Sequence, residues 1–111
     1  MSKIKDTGLF SIGICNATLA ELYFGAYQSQ YTELNIVNIL DFKRNLTIYS
    51  DSVDSAEHFG RIKSDLKSKG AIIEDFDIII ASIAMANDCV LVTNNVKHFQ
   101  RIENLTLENW L

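Results

Sequence analysis

No proline occurs anywhere in the 111 residues, and no repeat, low-complexity tract or linker-like run interrupts them. Nothing therefore marks a domain boundary, and a chain of this length builds one real core but not two, so a single domain over residues 1–111 is expected. Cysteine is scarce as well. Cys15 and Cys89 each sit in an apolar strand-like run with no CxxC or close Cys/His spacing. They read as buried reduced thiols, which argues against a disulfide or thiolate metal site and fits a reducing cytoplasm. No apolar run is long enough to cross a bilayer, and the N-terminus lacks the basic start, apolar core and small-residue cleavage pattern of a signal peptide. The expectation is a cytoplasmic protein without membrane contact. Basic residues are the minority charge, 10 Lys and Arg against 14 Asp and Glu, for a net charge of −4. Broad attraction to nucleic-acid phosphates is thereby excluded, and any such substrate must be held by a local basic patch or through a metal.

What is present is an ordinary globular composition, 48% hydrophobic and 22% charged. Strand-like and helix-like segments alternate, the pattern of an α/β fold with a mostly parallel sheet and helices packed on its faces. Phe10 to Cys15 reads as a strand. A helix capped by Asn16 or Thr18 runs to about Ser29, and a second extends to Arg44, the two forming a hairpin. Leu46 to Tyr49 reads as a short strand. Ser50-Asp51-Ser52 opens a helix with an apolar stripe of Val53, Ala56, Phe59, Ile62 and Leu66, which Gly70 terminates. Asp75 to Ala86 forms a helix stopped by Asn87-Asp88. Cys89 to Thr93 is a strand, Val96 to Phe99 a helical turn and Leu105 to Trp110 a last strand.

The run Glu74-Asp75-Phe76-Asp77-Ile78-Ile79-Ile80-Ala81 sets carboxylates against an apolar helix. An ionised carboxylate there is costly to desolvate unless a cation compensates it, and a divalent ion is a common answer. Asp75 and Asp77 point nearly opposite ways on a helix, and Asp77 shares its face with the small residues Ala81 and Ala84, so Asp77 is taken as the inward carboxylate. First-turn carboxylates also favour the helix dipole with no chemical role. Glu21 is the only charge in Ala17 to Ala26, and Thr18-x-x-Glu21 has capping-box spacing, so cap and ligand both stay open. Thr93-Asn94-Asn95 ends a strand, where ligands of open α/β sheets collect, although polar turns are common. Lys97 and His98 suit a phosphate or a metal-bound water, or plain solvation. Tyr23, Tyr27 and Tyr31 at four-residue spacing form a helical stripe for packing or an interface, and Phe99 and Trp110 read as core.

Taken together, Thr18 to Ala26, Gly70 to Ala81, Leu91 to Ile102 and the ending Leu107-Glu108-Asn109-Trp110 resemble, in order, the VapC-type toxins of the PIN-domain ribonuclease family. The resemblance implies a PIN-like three-layer α/β fold and a toxin of a type II toxin–antitoxin system that cleaves RNA, tRNA included, with Mg2+ or Mn2+. It also implies an antitoxin partner, while a chain without the family's central first strand is expected to form a homodimer or to be marginally stable, because the exposed backbone donors and acceptors need partners. Glu21 and Asp77 match two of the family's acidic metal-binding and catalytic positions. Thr93 and Asn95 match its polar strand end, and His98 falls where relatives often carry Glu or Asp. The likeness begins after the family's central first strand, whose Asp-x-Asn supplies a principal metal ligand; Asp6 in Lys5-Asp6-Thr7-Gly8 is not its equivalent. Without that strand, the Phe10 and Cys89 strands are expected to stand apart or to close against each other. A catalytically silent relative that retains antitoxin or partner binding is the alternative function, and an unrelated small α/β binding module is a third.

Overall fold

The computed structural model describes residues 13–44, 46–93 and 95–108. Its elements run β1 (Gly13–Cys15), α1 (Asn16–Gln28), α2 (Thr32–Lys43), β2 (Thr47–Tyr49), α3 (Val53–Ser68), α4 (Asp75–Ala86), β3 (Leu91–Val92), α5 (Val96–Phe99) and β4 (Leu107–Glu108). The alternation expected from sequence is present, with shorter strands. Phe10 to Ile12 and Trp110 lie outside the described residues.

Helix α4 is the centre of the main core. Its run Ile78-Ile79-Ile80-Ala81-Ser82-Ile83-Ala84 is apolar almost all round, and every residue in it except Ile79 is buried. A helix of that kind is stable only when covered on several sides, and α4 packs on α3, α1 and β1. Ser82, its one buried hydroxyl, donates to the Ile78 carbonyl at 2.6 Å, which removes the cost of an unpaired polar group. Ile62 and Leu66 of α3, Leu91 of β3, and Phe99 and Ile102 complete this core. A smaller cluster of Ile14, Leu19, Ala26 and Ile39 lies under the α1/α2 hairpin.

Local chemistry sets the helix ends. Ser52 and Ser55 form a reciprocal capping box at the start of α3, Ser55 N donating to Ser52 Oγ at 3.1 Å and Ser52 N to Ser55 Oγ at 2.7 Å. Gly70, at φ 69°, takes the left-handed conformation that ends α3. Two expectations need correction. Neither Asn16 nor Thr18 caps α1, which begins straight out of β1 with Cys15 at its N-cap and no side-chain capping bond. Thr18-x-x-Glu21 therefore lies inside the helix. The tyrosine stripe is also broken, because α1 ends at Gln28 and Tyr31 is the N-cap residue of α2. Tyr27 and Tyr31 are exposed, whereas Tyr23 accepts a hydrogen bond from Lys43 Nζ at 3.0 Å across the hairpin.

The described strands form two parallel pairs, β1 with β2 and β3 with β4. Their registers are Gly13↔Thr47, Ile14↔Ile48 and Cys15↔Tyr49, then Leu91↔Leu107 and Val92↔Glu108. Among the described residues the two pairs are not joined to each other. Ile14 and Cys15 of β1 and Leu91 and Val92 of β3 line one apolar slot of about 280 Å3, with Ile80 of α4 beside them.

Candidate functional site

Asp77 stands in the first turn of α4 and His98 in α5, and His98 Nε2 lies 3.1 Å from Asp77 Oδ2. Helix α5 positions the imidazole. Buried Phe99 anchors that one-turn helix in the core, and its ring meets the His98 ring edge-on at 5.2 Å. Asn95 starts the turn, its carbonyl accepting from His98 N at 3.1 Å, while its own N–H donates to Thr93 Oγ1 at 3.0 Å. Thr93, Asn95 and His98 are thus one linked structure leading from the carboxyl end of β3 to Asp77.

The two carboxylates of the α4 start diverge as their spacing requires. Asp77 is about one-third exposed, whereas Asp75 turns outward to pair with Lys63 Nζ of α3 at 3.0 Å. Ala81 and Ala84, one and two turns beyond Asp77, are buried, so the inward face is the one inferred from small residues. Glu21 is exposed on α1. It follows Thr18 by three residues and precedes Leu22, both of which line the slot, so it stands on the α1 face bordering that opening. No ion pair joins Glu21 to another described residue. The pairing of His98 with Asp77, 21 residues apart, had no signal in local spacing; only the resemblance set the Thr93–His98 turn beside Asp77.

For a hard divalent ion the donors are of a suitable kind but incompletely assembled. Among the described residues no group of three or more His, Cys, Asp or Glu stands together. What exists is a hydrogen-bonded pair, Asp77 and His98. Mg2+ commonly uses one or two protein carboxylates and water for the rest, and imidazole is acceptable to Mn2+. The pair fits such an ion through Asp77, and Glu21 does not group with it among the described residues. Among the described residues, no helix is long and apolar enough to cross a membrane.

A parallel α/β body with an acidic helix start facing a polar strand end defines the class. The profile of the PIN domain matches residues 3–105, and the chain belongs to that family. Among its relatives, Ribonuclease VapC2 of Haemophilus influenzae is 43% identical over 98 residues, covering 88% of this chain and 74% of the relative. The tRNA(fMet)-specific endonuclease VapC of Shigella flexneri is 34% identical over 97 residues, 87% of this chain and 74% of that protein. In structure, VapBC2 from Rickettsia felis bound to a DNA fragment from their promoter superposes with a TM-score of 0.87 at 40% identity, covering 91% of this chain and 76% of that one.

Proposed function

We propose that this chain is the toxin of a toxin–antitoxin pair and a divalent-metal-dependent endoribonuclease, with Asp77 and Glu21 as metal-binding carboxylates. The observation that carries the reading is the Asp77–His98 pair at the carboxyl end of β3, in a chain of the PIN family whose relatives include named VapC ribonucleases. Asp77 would hold the ion through its carboxylate. His98 fixes that carboxylate by hydrogen bonding one oxygen, Oδ2, and leaves Oδ1 for other contacts. With its Nε2 engaged this way, the imidazole is a positioning group for the carboxylate. Thr93 and Asn95, at the same strand end, offer polar groups to orient a water or the sugar–phosphate chain. A divalent ion bound there would supply an activated water and stabilise charge developing on phosphorus. Because the relative from Shigella flexneri is named for tRNA(fMet), initiator tRNA is the first substrate to try. The solved relatives named VapBC support a small antitoxin as partner.

The test is cleavage of tRNA by the purified 111-residue protein with Mg2+ or Mn2+, with and without chelator. Chelator-sensitive cleavage lost in both Asp77→Ala and Glu21→Ala is expected. Cleavage retained by both variants would refute the assignment. A second reading, a silent relative that keeps only partner binding, is favoured by one observation: no three metal-binding side chains stand together among the described residues. No metal-dependent cleavage by the wild-type chain, together with tight antitoxin binding, would select it.

A further inference from the structure

Resting on the ribonuclease reading, we propose that Lys97 and Arg101 form a phosphate-binding edge of the site and grip the sugar–phosphate chain of an RNA strand beside the Asp77–His98 pair. A net charge of −4 gives the protein no general attraction for RNA, so a strand must be drawn in by cations concentrated at the site. Elimination among the described Lys and Arg residues finds them. Arg44, Lys63 and Lys69 are paired with carboxylates, and Lys43 and Arg61 are engaged by Tyr23 and His58. Lys67 stands in the last turn of α3, where the helix dipole favours a cation. The two that remain, Lys97 and Arg101, bracket His98 in the chain.

Their placement is set by the core. Phe99 and Ile102, three residues apart, are both buried and hold the inner side of the turn that starts at α5. The backbone keeps turning past the helix, with Gln100 N donating to the Val96 carbonyl at 2.8 Å and Ile102 N to the Phe99 carbonyl at 3.0 Å. Lys97 and Arg101, four apart and both exposed, therefore lie as neighbours on the outer side. Arg101 is also tied to the segment that leads into α4 and Asp77, since its Nη1 donates to the Ile72 carbonyl at 3.3 Å. The rest of its donor fork is left for a ligand, and a guanidinium suits phosphate oxygens. Nearby carboxylates that could neutralise it are committed elsewhere, Asp75 to Lys63 and Glu103 to Lys69. Neither Lys97 nor Arg101 has a carboxylate partner among the described residues, so an internal ion pair accounts for neither of them. Phosphate contacts of this kind position a strand without reading its bases.

The test is binding of fluorescein-labelled tRNA, and of a labelled single-stranded RNA of random sequence, to the 111-residue protein by fluorescence anisotropy. Chelator is present to silence metal-dependent cleavage, and salt concentration is varied. Lys97→Gln and Arg101→Gln, the latter keeping a donor for the Ile72 carbonyl, should each weaken binding of both RNAs by about fivefold and reduce the salt slope by about 1. Melting temperatures of the variants separate this from loss of fold, which would not lower the slope by one charge at a time. Arg61→Gln makes the same change of charge beside Met85 and Asp88, at the far end of α4 from Asp77, and should leave affinity within about twofold. Unchanged affinity and slope in both Lys97→Gln and Arg101→Gln, or an equal loss in Arg61→Gln, would overturn the proposal. Cleavage with Mg2+ or Mn2+, measured on the same proteins, keeps the two readings apart. A wild-type protein that cuts tRNA while both variants bind normally refutes the phosphate-binding edge alone. One that binds RNA through Lys97 and Arg101 without cutting it refutes the ribonuclease assignment alone, and one that neither binds nor cuts refutes both.

Discussion

His98 Nε2 and Asp77 Oδ2 meet at 3.1 Å with both side chains partly shielded, 23% and 31% exposed. Each is delivered by a helix whose neighbouring residues are locked in the core, Ile78 after Asp77 and Phe99 after His98. The pair is therefore held by packing, and its one hydrogen bond need not supply the order.

That arrangement separates the two residues' roles experimentally. Asp77→Asn keeps shape and removes the charge, so Mn2+ binding followed by electron paramagnetic resonance should be lost together with RNA cleavage. His98→Asn leaves the carboxylate but loosens its orientation, and metal affinity should fall by about 10- to 100-fold, the usual cost of losing an outer-shell partner. Equal, total loss in both variants would make His98 a ligand, and unchanged affinity in His98→Asn would remove its positioning role.

Asp75 provides the contrast within the same helical turn. Its ion pair with Lys63 is more than half exposed on both sides, and exposed pairs contribute roughly 0–1 kcal/mol. Asp75→Asn should shift the melting temperature by no more than a few degrees and leave Mn2+ affinity unchanged. A loss of metal binding comparable to that of Asp77→Asn would show that the choice between the two carboxylates is wrong.

How much of this was readable beforehand depends on the range of the forces. The α4 helix, the Gly70 stop and the inward face of Asp77 follow from local periodicity and small-residue placement, and the structure shows all three. The start of α1 was misread because a capping-box spacing says nothing about the strand that feeds the helix. Where β1 runs directly into α1, Cys15 occupies the N-cap and the Thr18–Glu21 pair falls a turn too late. The Asp77–His98 contact joins two helices far apart in sequence, which leaves no periodic trace, and only the family resemblance set the Thr93–His98 turn beside Asp77.

The two capping-box candidates differ in stability as well. Ser52→Ala removes the acceptor for Ser55 N and should cost about 1 kcal/mol, a drop of roughly 4–8 °C for a domain near this size. Thr18→Ala should be neutral or stabilise by a few tenths of a kcal/mol, since Ala has the higher helix propensity and no cap depends on Thr18. Thermal unfolding followed by circular dichroism measures both, and a Thr18→Ala loss as large as that of Ser52→Ala would restore the capping role to Thr18.

Gly13 of β1 sits tightly against β2. A Cβ placed there would collide with the Tyr49 ring, reaching 2.7 Å from Cδ2, and would lie 3.0 Å from the Thr47 carbonyl oxygen. Thr47 and Tyr49 are the strand partners of Gly13 and Cys15, so the obstruction belongs to the pairing and the strands cannot simply slide away. Overpacking of this kind costs about 1–3 kcal/mol, and Gly13→Ala should unfold at lower denaturant concentration by that amount. If the Tyr49 ring is the obstacle, Tyr49→Ala should make the Gly13 substitution nearly neutral in a double-mutant cycle, with coupling of about 1 kcal/mol or more. An additive cycle would place the cost at the Thr47 carbonyl, and an unperturbed Gly13→Ala protein would mean that β1 and β2 do not pair this closely in solution.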